Sequence, residues 1–349
     1  MDEQLPRAKI DDVARLAGVS TKTVSRVLNN EPNVRDATRA RVKDAAETLN
    51  YTPDFSARSL AGQKSYLIAM FYDTASQGYL AGFQAGALAQ CGEYGYHLIV
   101  ERCQVNAPKA GKRVADVAAR LRVDGVLLLP PLSNQIDVLS QLDLSGIPFV
   151  QIVPADASKA KHYVDMDDAS AAFELTTYLL KQGHRRIAHI KGHPSHGASV
   201  QRFQGFCAAL RAAGRKPDTA LIVEGTFSIE SGEAAAQQLL DNPDPPTAIF
   251  AANDDMAAGA LKYARERGLG VPEDLSIVGF DDSEIASVVF PSLTTVRQPI
   301  DDMARGAVDL LIDAIKADSK AEDSDEASQS RHFSSELIER GSAIAPKPD

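Results

Sequence analysis

The sequence predicts a small all-α head, a helix-turn-helix, followed by an α/β body of two Rossmann-like lobes. Two patterns carry that reading. From Ile10 to Leu49 apolar residues recur at helical spacing in three short groups, and beyond Lys64 short β-rich runs alternate with longer helical stretches. At 349 residues with 44% apolar content, the chain is long enough for two or three packed units, because single cores stop growing near ~250–300 residues.

The first helix is expected on Ile10, Val13, Ala14 and Ala17, the second on Val24, Val27 and Leu28, and the third on Val42, Ala45, Ala46 and Leu49. Gly18-Val19-Ser20 separates the first two: Gly18 takes a left-handed turn, and the Ser20 side chain is placed to cap the next helix. This is a helix-turn-helix pattern. Opposite its apolar side the second helix carries Thr21, Lys22, Ser25, Arg26 and Asn29, side chains that reach base edges and phosphates in a major groove. The bland alternative is a solvated helical hairpin.

The segments "DVARLAGVS", "TVSRVLN", "TRARV", "LNYTP" and "ARSL", in that order and spacing, closely resemble the headpiece of the LacI/GalR family of bacterial transcription regulators. The resemblance implies DNA contacts at Thr21, Lys22, Thr23, Ser25, Arg26 and Asn29, with Thr21 and Lys22 setting operator sequence. A good bidentate contact discriminates bases by roughly 1–3 kcal/mol. It also implies a hinge over 54–64, where Ala57 contacts DNA and Leu60 wedges into the minor groove and kinks the duplex. Such a hinge is well below the ~12–15 residues at which an isolated helix becomes marginally stable, so it is expected to order only on DNA beside a second copy. Arg35 departs from the family, which usually caps the third helix there; Asp36 is the expected substitute.

Charge is uneven along the chain. Residues 1–64 hold 11 Lys and Arg against 9 Asp and Glu, and the remainder holds 26 against 38, within a total of −10. Only the head tolerates DNA, and its modest excess favours a homodimer presenting two heads. No stretch has the ~18 consecutive apolar residues of a membrane span, and the opening "MDEQLPRAKI" lacks a signal peptide's apolar core, so a cytoplasmic protein is expected. Cys91, Cys103 and Cys207 are odd in number and form no CxxC pair, which suits small core residues better than a disulfide framework or a zinc site.

In the body, "YLIAMFY", "YHLIV", "GVLLLP" and "PFVQIV" form one group of strands, and "RIAHI", "ALIVEG", "TAIFAAND" and "LSIVGFDD" a second. Helical stretches at 80–94, 109–121, 170–182, 202–213, 230–240, 255–267 and 301–315 lie between them or follow. Such alternation argues for parallel sheets covered on both faces. This half resembles the family's effector domain, a periplasmic-binding-protein-like fold. That likeness implies a head over 1–53, lobe one over 65–164 and 295–317, and lobe two over 165–294 and 331–349. Residues 318–330, polar and acidic, are expected as a flexible loop, and the closing run "HFSSELIERGS" as a strand rejoining lobe two.

In parallel sheets ligands collect at the carboxyl ends of strands. By resemblance, Arg202 in "RFQGF", Asn253 in "ANDDM" and Asp281 in "GFDD" hold an effector, Phe227 stacks on its ring, Gln298 adds a contact, and Tyr79 lines the same cleft. These groups suit a small sugar: carboxylates accept from hydroxyls, Arg and Asn donate, and an aromatic covers the ring. The alternatives are a capping or turn-forming role for Asn253 and Asp281, a surface ion pair for Arg202, and core packing for Phe227. Where the family reads Asp then Arg, this chain has Val153 and Pro154, so a common hydroxyl acceptor is missing. No cofactor is expected. Catalysis by the Asp165, Asp167 and Asp168 group lacks an accompanying nucleophile or phosphate-binding motif, and His184, His189, His193 and His196 are too scattered among strand, helix end and loop for a convincing zinc site. The sequence leaves open whether the ligand releases DNA or acts as a corepressor of the purine or phosphorylated-metabolite kind.

Overall fold

The computed structural model describes residues 8–28, 34–51, 64–73, 76–318 and 329–347. The chain divides into two units, Met1–Ser65 and Tyr66–Asp349.

The first unit holds helices α1 (Ile10–Ala17), α2 (Thr21–Leu28) and α3 (Asp36–Thr48). Val13, Ala14, Ala17, Val24, Val27, Val42, Ala45 and Ala46 interlock as its core, with Leu28, Leu49 and Tyr51 packed at the margin. All but Tyr51 belong to the apolar side that the spacing singled out. Gly18 ends α1 at φ 65, a conformation only glycine enters freely. Ser20 Oγ then accepts from the Thr23 amide at 3.2 Å, the expected cap. The start of α3 differs from expectation: the cap position is Arg35 with no side-chain hydrogen bond, and Asp36 sits inside the first turn, where its charge meets the positive end of the helix dipole.

The second unit consists of two lobes. The first is a six-stranded parallel sheet in the order β11-β5-β4-β3-β1-β2, built from β1 (Leu67–Tyr72), β2 (His97–Arg102), β3 (Gly125–Leu128), β4 (Phe149–Ile152), β5 (His162–Met166) and β11 (Gln329–Phe333). Helices α4 (Gln77–Glu93) and α12 (Ile300–Asp318) cover one face with Phe83, Ala87, Met303 and Leu311. On the other face α5 (Ala110–Leu121) and α6 (Ile136–Ser145) bring Val114, Ala118, Val138 and Leu142. Cys91, Cys103 and Cys207 are free and buried.

The second lobe has four parallel strands in the order β7-β6-β8-β9: β6 (Ile187–Lys191), β7 (Ile222–Glu224), β8 (Ala248–Ala251) and β9 (Ser276–Val278). Helices α7 (Asp168–Lys181), α8 (Gly197–Ala212), α9 (Ile229–Leu240) and α10 (Asp254–Glu266) flank it, and a short α11 (Glu284–Val288) follows β9. The chain crosses between lobes after β5, again along β10 (Thr295–Arg297), and a third time through β12 (Glu336–Ile338), which pairs antiparallel with β10.

The closing run corrects the sequence reading. Of the run 332–342, His332 and Phe333 do not join the second lobe; they end β11, which lies beside β5 at the edge of the first lobe's sheet, Gln329 opposite His162 and Phe333 opposite Met166. Only later does the chain reach the second lobe, where the Ile277 amide donates to Ser342 O at 2.9 Å. An edge strand keeps one side in solvent, so its polar sequence gave no apolar period. Of the stretch expected as a flexible loop over 318–330, Asp318 ends α12 and Gln329 and Ser330 belong to β11, and residues 319–328 lie outside the described residues. Strand β5 and helix α6 were not read from the sequence at all.

Candidate functional site

On α2, Thr21, Lys22 and Arg26 are exposed, and Ser25 is half-buried, while Val24 and Val27 point into the core. The helix therefore has the dry side and the polar side that the sequence required. Thr23 stands differently from its neighbours: its hydroxyl lies 2.9 Å from Ser20 Oγ, so it serves the cap. Asn29, Ala57 and Leu60 lie outside the described residues.

The second candidate site is a cavity of about 50 Å³ between the two lobes of the body. Ser76, Tyr79, Pro130 and Val153 line it from the first lobe, Asp168, His196, Ala198, Arg202, Phe227 and Asp281 from the second, and Gln298 from the stretch after β10. Five of the six predicted effector residues meet here: Tyr79, Arg202, Phe227, Asp281 and Gln298. Asn253 does not line the cavity. Its Oδ1 accepts from the Met256 amide at 3.0 Å, capping α10, and its Nδ2 donates to Phe227 O at 3.2 Å. The capping alternative is the one realised, and Asn253 acts by fixing the backbone of Phe227, which holds φ 63.

Arg202 is almost fully buried, with its side chain 5% exposed. A guanidinium stripped of water needs countercharge, and the fold supplies it. Nε donates to Asp168 Oδ1 at 2.7 Å, and Nη1 donates to Ala252 O at 2.5 Å and to Asp281 Oδ1 at 3.4 Å. The plane stacks on Phe280, 3.7 Å from the ring centroid. This is no surface ion pair. Asp281 holds φ 115 and also accepts from Gln298 Nε2 at 2.5 Å. Burial raises its pKa, against the opposing pull of Arg202. Behind it Asp254 is also buried and raised for the same reason, with Asp281 adding to the shift. Asp254 binds the crossing: Thr295 Oγ1 donates to its Oδ1 at 2.6 Å, and the Ser283 amide and hydroxyl donate to its Oδ2 at 2.8 and 3.0 Å.

Two polar atoms in the cavity wall are buried without a hydrogen bond, Tyr79 OH and Asp168 Oδ2. Burial and then the neighbouring carboxylates Asp281 and Asp168 push the Tyr79 pKa up, so the phenol stays protonated. His196, its ring 4.9 Å from that of Phe227, is held neutral because burial pushes its pKa down to about 4. Phe227 fits because Gly192 faces it: a Cβ there would lie 1.9 Å from the ring. His184 and His189 are engaged elsewhere. His184 lies between Thr247 Oγ1 and Ile344 O, and His189 Nδ1 is 2.9 Å from Phe250 O. Among the described residues no three His, Cys, Asp or Glu side chains are grouped to hold a metal ion, and no helix is long and apolar enough to cross a membrane.

Sequence reasoning missed Asp168 as a cavity residue and left open whether His193 and His196, which share a loop, reach the cleft; His196 is in its wall. Asp168 follows the carboxyl end of β5, the position where ligands gather, but with β5 unread there was no strand end to point to it. Val153, noted only as a departure, proves to be part of the wall with φ 47.

Comparison with known proteins agrees with this architecture. Residues 9–54 match the model of bacterial regulatory proteins of the lacI family, and residues 176–343 that of a periplasmic binding protein-like domain. The HTH-type transcriptional repressor CytR of Escherichia coli (strain K12) is 36% identical over 344 residues, covering 98% of each chain. The chain belongs to the lacI family of bacterial regulatory proteins. It is similar as well to the HTH-type transcriptional regulator CelR of Thermobifida fusca, at 36% identity over 90% of this chain and 93% of that one. Among solved structures, a CelR–cellobiose complex aligns with a TM-score of 0.73 and 34% identity, covering 97% of this chain and 100% of that one. A lac repressor dimer bound to operator and the anti-inducer ONPF aligns with a TM-score of 0.78 and 27% identity, covering 97% and 99%. The chain is thus a DNA-binding transcription regulator of this family, with a helix-turn-helix head and a periplasmic-binding-protein-like body.

Proposed function

We propose that the protein represses transcription as a homodimer in the cytoplasm, reading a palindromic operator with Thr21, Lys22 and Arg26 of α2, and that a small sugar-like molecule bound between the lobes releases it. The observation that carries the effector half is the pair of buried, unpartnered groups in the cleft, Tyr79 OH and Asp168 Oδ2. Leaving such atoms dry and unpaired costs about 1–3 kcal/mol each, a cost that a ligand's hydroxyls offset. The operator half rests on the polar face of α2 and on the family. CelR with cellobiose and the lac repressor dimer on its operator show relatives combining the two activities. Ligand closes the lobes about their three crossings, and the change reaches the head through the hinge with a coupling typically of ~1–3 kcal/mol.

Two measurements separate the halves. Arg202→Ala is expected to leave operator binding within about threefold of wild type while removing the response to effector. Persisting response in that variant contradicts the placement of the ligand. A ligand that tightens operator binding instead of weakening it would make the protein a corepressor-dependent regulator.

A further inference from the structure

Glycine is needed where φ is positive or where another segment comes too close for a Cβ. Neither Gly78 nor Gly197 has a positive φ, and both lie in the first turn of a helix, Gly78 in α4 and Gly197 in α8. Space is what singles them out. A Cβ on Gly197 would come 2.9 Å from Ala155 Cα and 3.2 Å from both its Cβ and its N. A Cβ on Gly78 would come 3.1 Å from Ser283 Cβ. Both neighbours belong to the facing lobe: Ala155 follows β4 in the first, and Ser283 follows β9 in the second.

The two contacts are reciprocal and flank the cavity. Ser76 and Tyr79 beside Gly78, and His196 and Ala198 beside Gly197, line it, so each helix start reaches past the cavity's edge and rests on the opposite lobe. A third tie runs the same way, from the Ser76 hydroxyl of the first lobe to the Asp255 carboxylate of the second. The resting points are held fast. The Ala155 amide donates to Asn134 Oδ1 at 2.6 Å, and Ser283 donates through its amide and its hydroxyl to the buried Asp254. Carbon atoms pack at roughly 3.5–4.0 Å, so a methyl at 197 meets pinned backbone and is accommodated only when the lobes part there by about 1 Å. A methyl at 78 meets one side-chain carbon, a milder conflict.

Granting that the lobes close over a ligand, the reading on which this rests, we infer that Gly78 and Gly197 are positioning residues of the closed state. They let two helix starts seat on the facing lobe, and a methyl at either place shifts the protein towards lobes that stand apart, with Gly197 the more sensitive of the two. The fold of each lobe does not suffer. Alanine suits a helical backbone better than glycine and narrows the unfolded chain, so the open form of each variant is at least as stable as that of the wild type.

The test uses the full chain without ligand or DNA. Val153 lines the cavity from the first lobe and is 3% exposed, so the thiol of Val153→Cys reacts with N-ethylmaleimide only when the lobes part. Cys91, Cys103 and Cys207, free and buried, supply a background that the parent without the probe measures. Relative to the probe variant alone, Gly197→Ala is expected to raise the labelling rate at position 153 about tenfold or more, and Gly78→Ala to raise it less, both without a fall in melting temperature. Ser283→Gly takes away the carbon that a methyl at 78 would strike and should cancel most of the increase caused by Gly78→Ala. Ala198→Cys, in the opposite wall, repeats the measurement if the first probe does not fold. Unchanged labelling in both glycine variants, an increase that comes with a lowered melting temperature, or an effect of Gly78→Ala indifferent to Ser283→Gly would each overturn the inference. The effector reading fails separately: if effector response persisted in Arg202→Ala while these rates behaved as expected, the ligand would move elsewhere and the closure would stand.

Discussion

Tyr79 and Asn253 were both read as effector residues, yet their surroundings give them different work. The Tyr79 hydroxyl is buried in the cleft without a partner, so in the absence of ligand it is a net cost to folding. Tyr79→Phe is expected to raise the stability of the unliganded protein by about 1 kcal/mol while weakening effector binding, which urea denaturation with and without ligand checks. Asn253 is the reverse case. Its oxygen caps α10 and its amide holds Phe227 O, so Asn253→Ala should cost about 1–2 kcal/mol of stability and loosen the ring of Phe227 before it touches any ligand. Wild-type stability in that variant would show the cap to be idle. The sequence could name Asn253 but not assign its role, because a residue at a strand's carboxyl end that also precedes a helix is placed equally well to cap or to bind. Asp168 had the converse problem: its chemistry was visible, but not its position.

At the scale of elements, the crossings between lobes gather around the loop that follows β9. Asp281 faces the cavity, and Asp282 accepts from Arg297 Nε at 2.7 Å and from Arg340 Nη2 at 2.6 Å, while Asp254 holds Thr295 and Ser283. Burial raises the pKa of Asp254 and Asp281 above that of the unfolded chain, so the folded state keeps protons that the unfolded chain has already released. By linkage their contribution to stability is full below the ordinary carboxylate range and is lost as pH rises towards the raised values. Asp254→Asn should therefore make the decline of the urea midpoint between pH 5 and pH 8 shallower. The buried histidines act in the opposite sense, losing stability as pH falls below their usual range, but they are common to both proteins and cancel in the difference. Parallel pH profiles would contradict the assignment. Strands with apolar runs were legible in the sequence, and in β1, β3, β6, β8 and β9 nearly every position is buried. Those missed or misassigned, β5 with His162 and Asp165 and the edge strand β11, carry polar residues that break the apolar run, and β11 joins its neighbour from more than 160 positions away, a pairing no local pattern contains.

For the whole molecule, the division into a DNA-reading head and a ligand-binding body was legible almost completely, since the head's motifs and the alternation of strand and helix are both local signals. The path between the two is less so, because the segment over 54–64 has no sustained apolar pattern of its own. If Leu60 wedges into the operator, Leu60→Gly should lower operator affinity by at least about a hundredfold, on the scale of unstacking a base step, and leave effector affinity in place; equal loss of both would sink the hinge assignment. The most direct test of the account is selection of duplexes by the full-length protein from a random pool, followed by fluorescence anisotropy on the enriched sequence across a salt series. The account predicts a palindrome with two half-sites bound far more tightly than random DNA, a steep loss of affinity with salt, and relaxed sequence preference in each half-site for Lys22→Ala. Enrichment of no sequence, or of a single asymmetric site indifferent to Lys22, would contradict it.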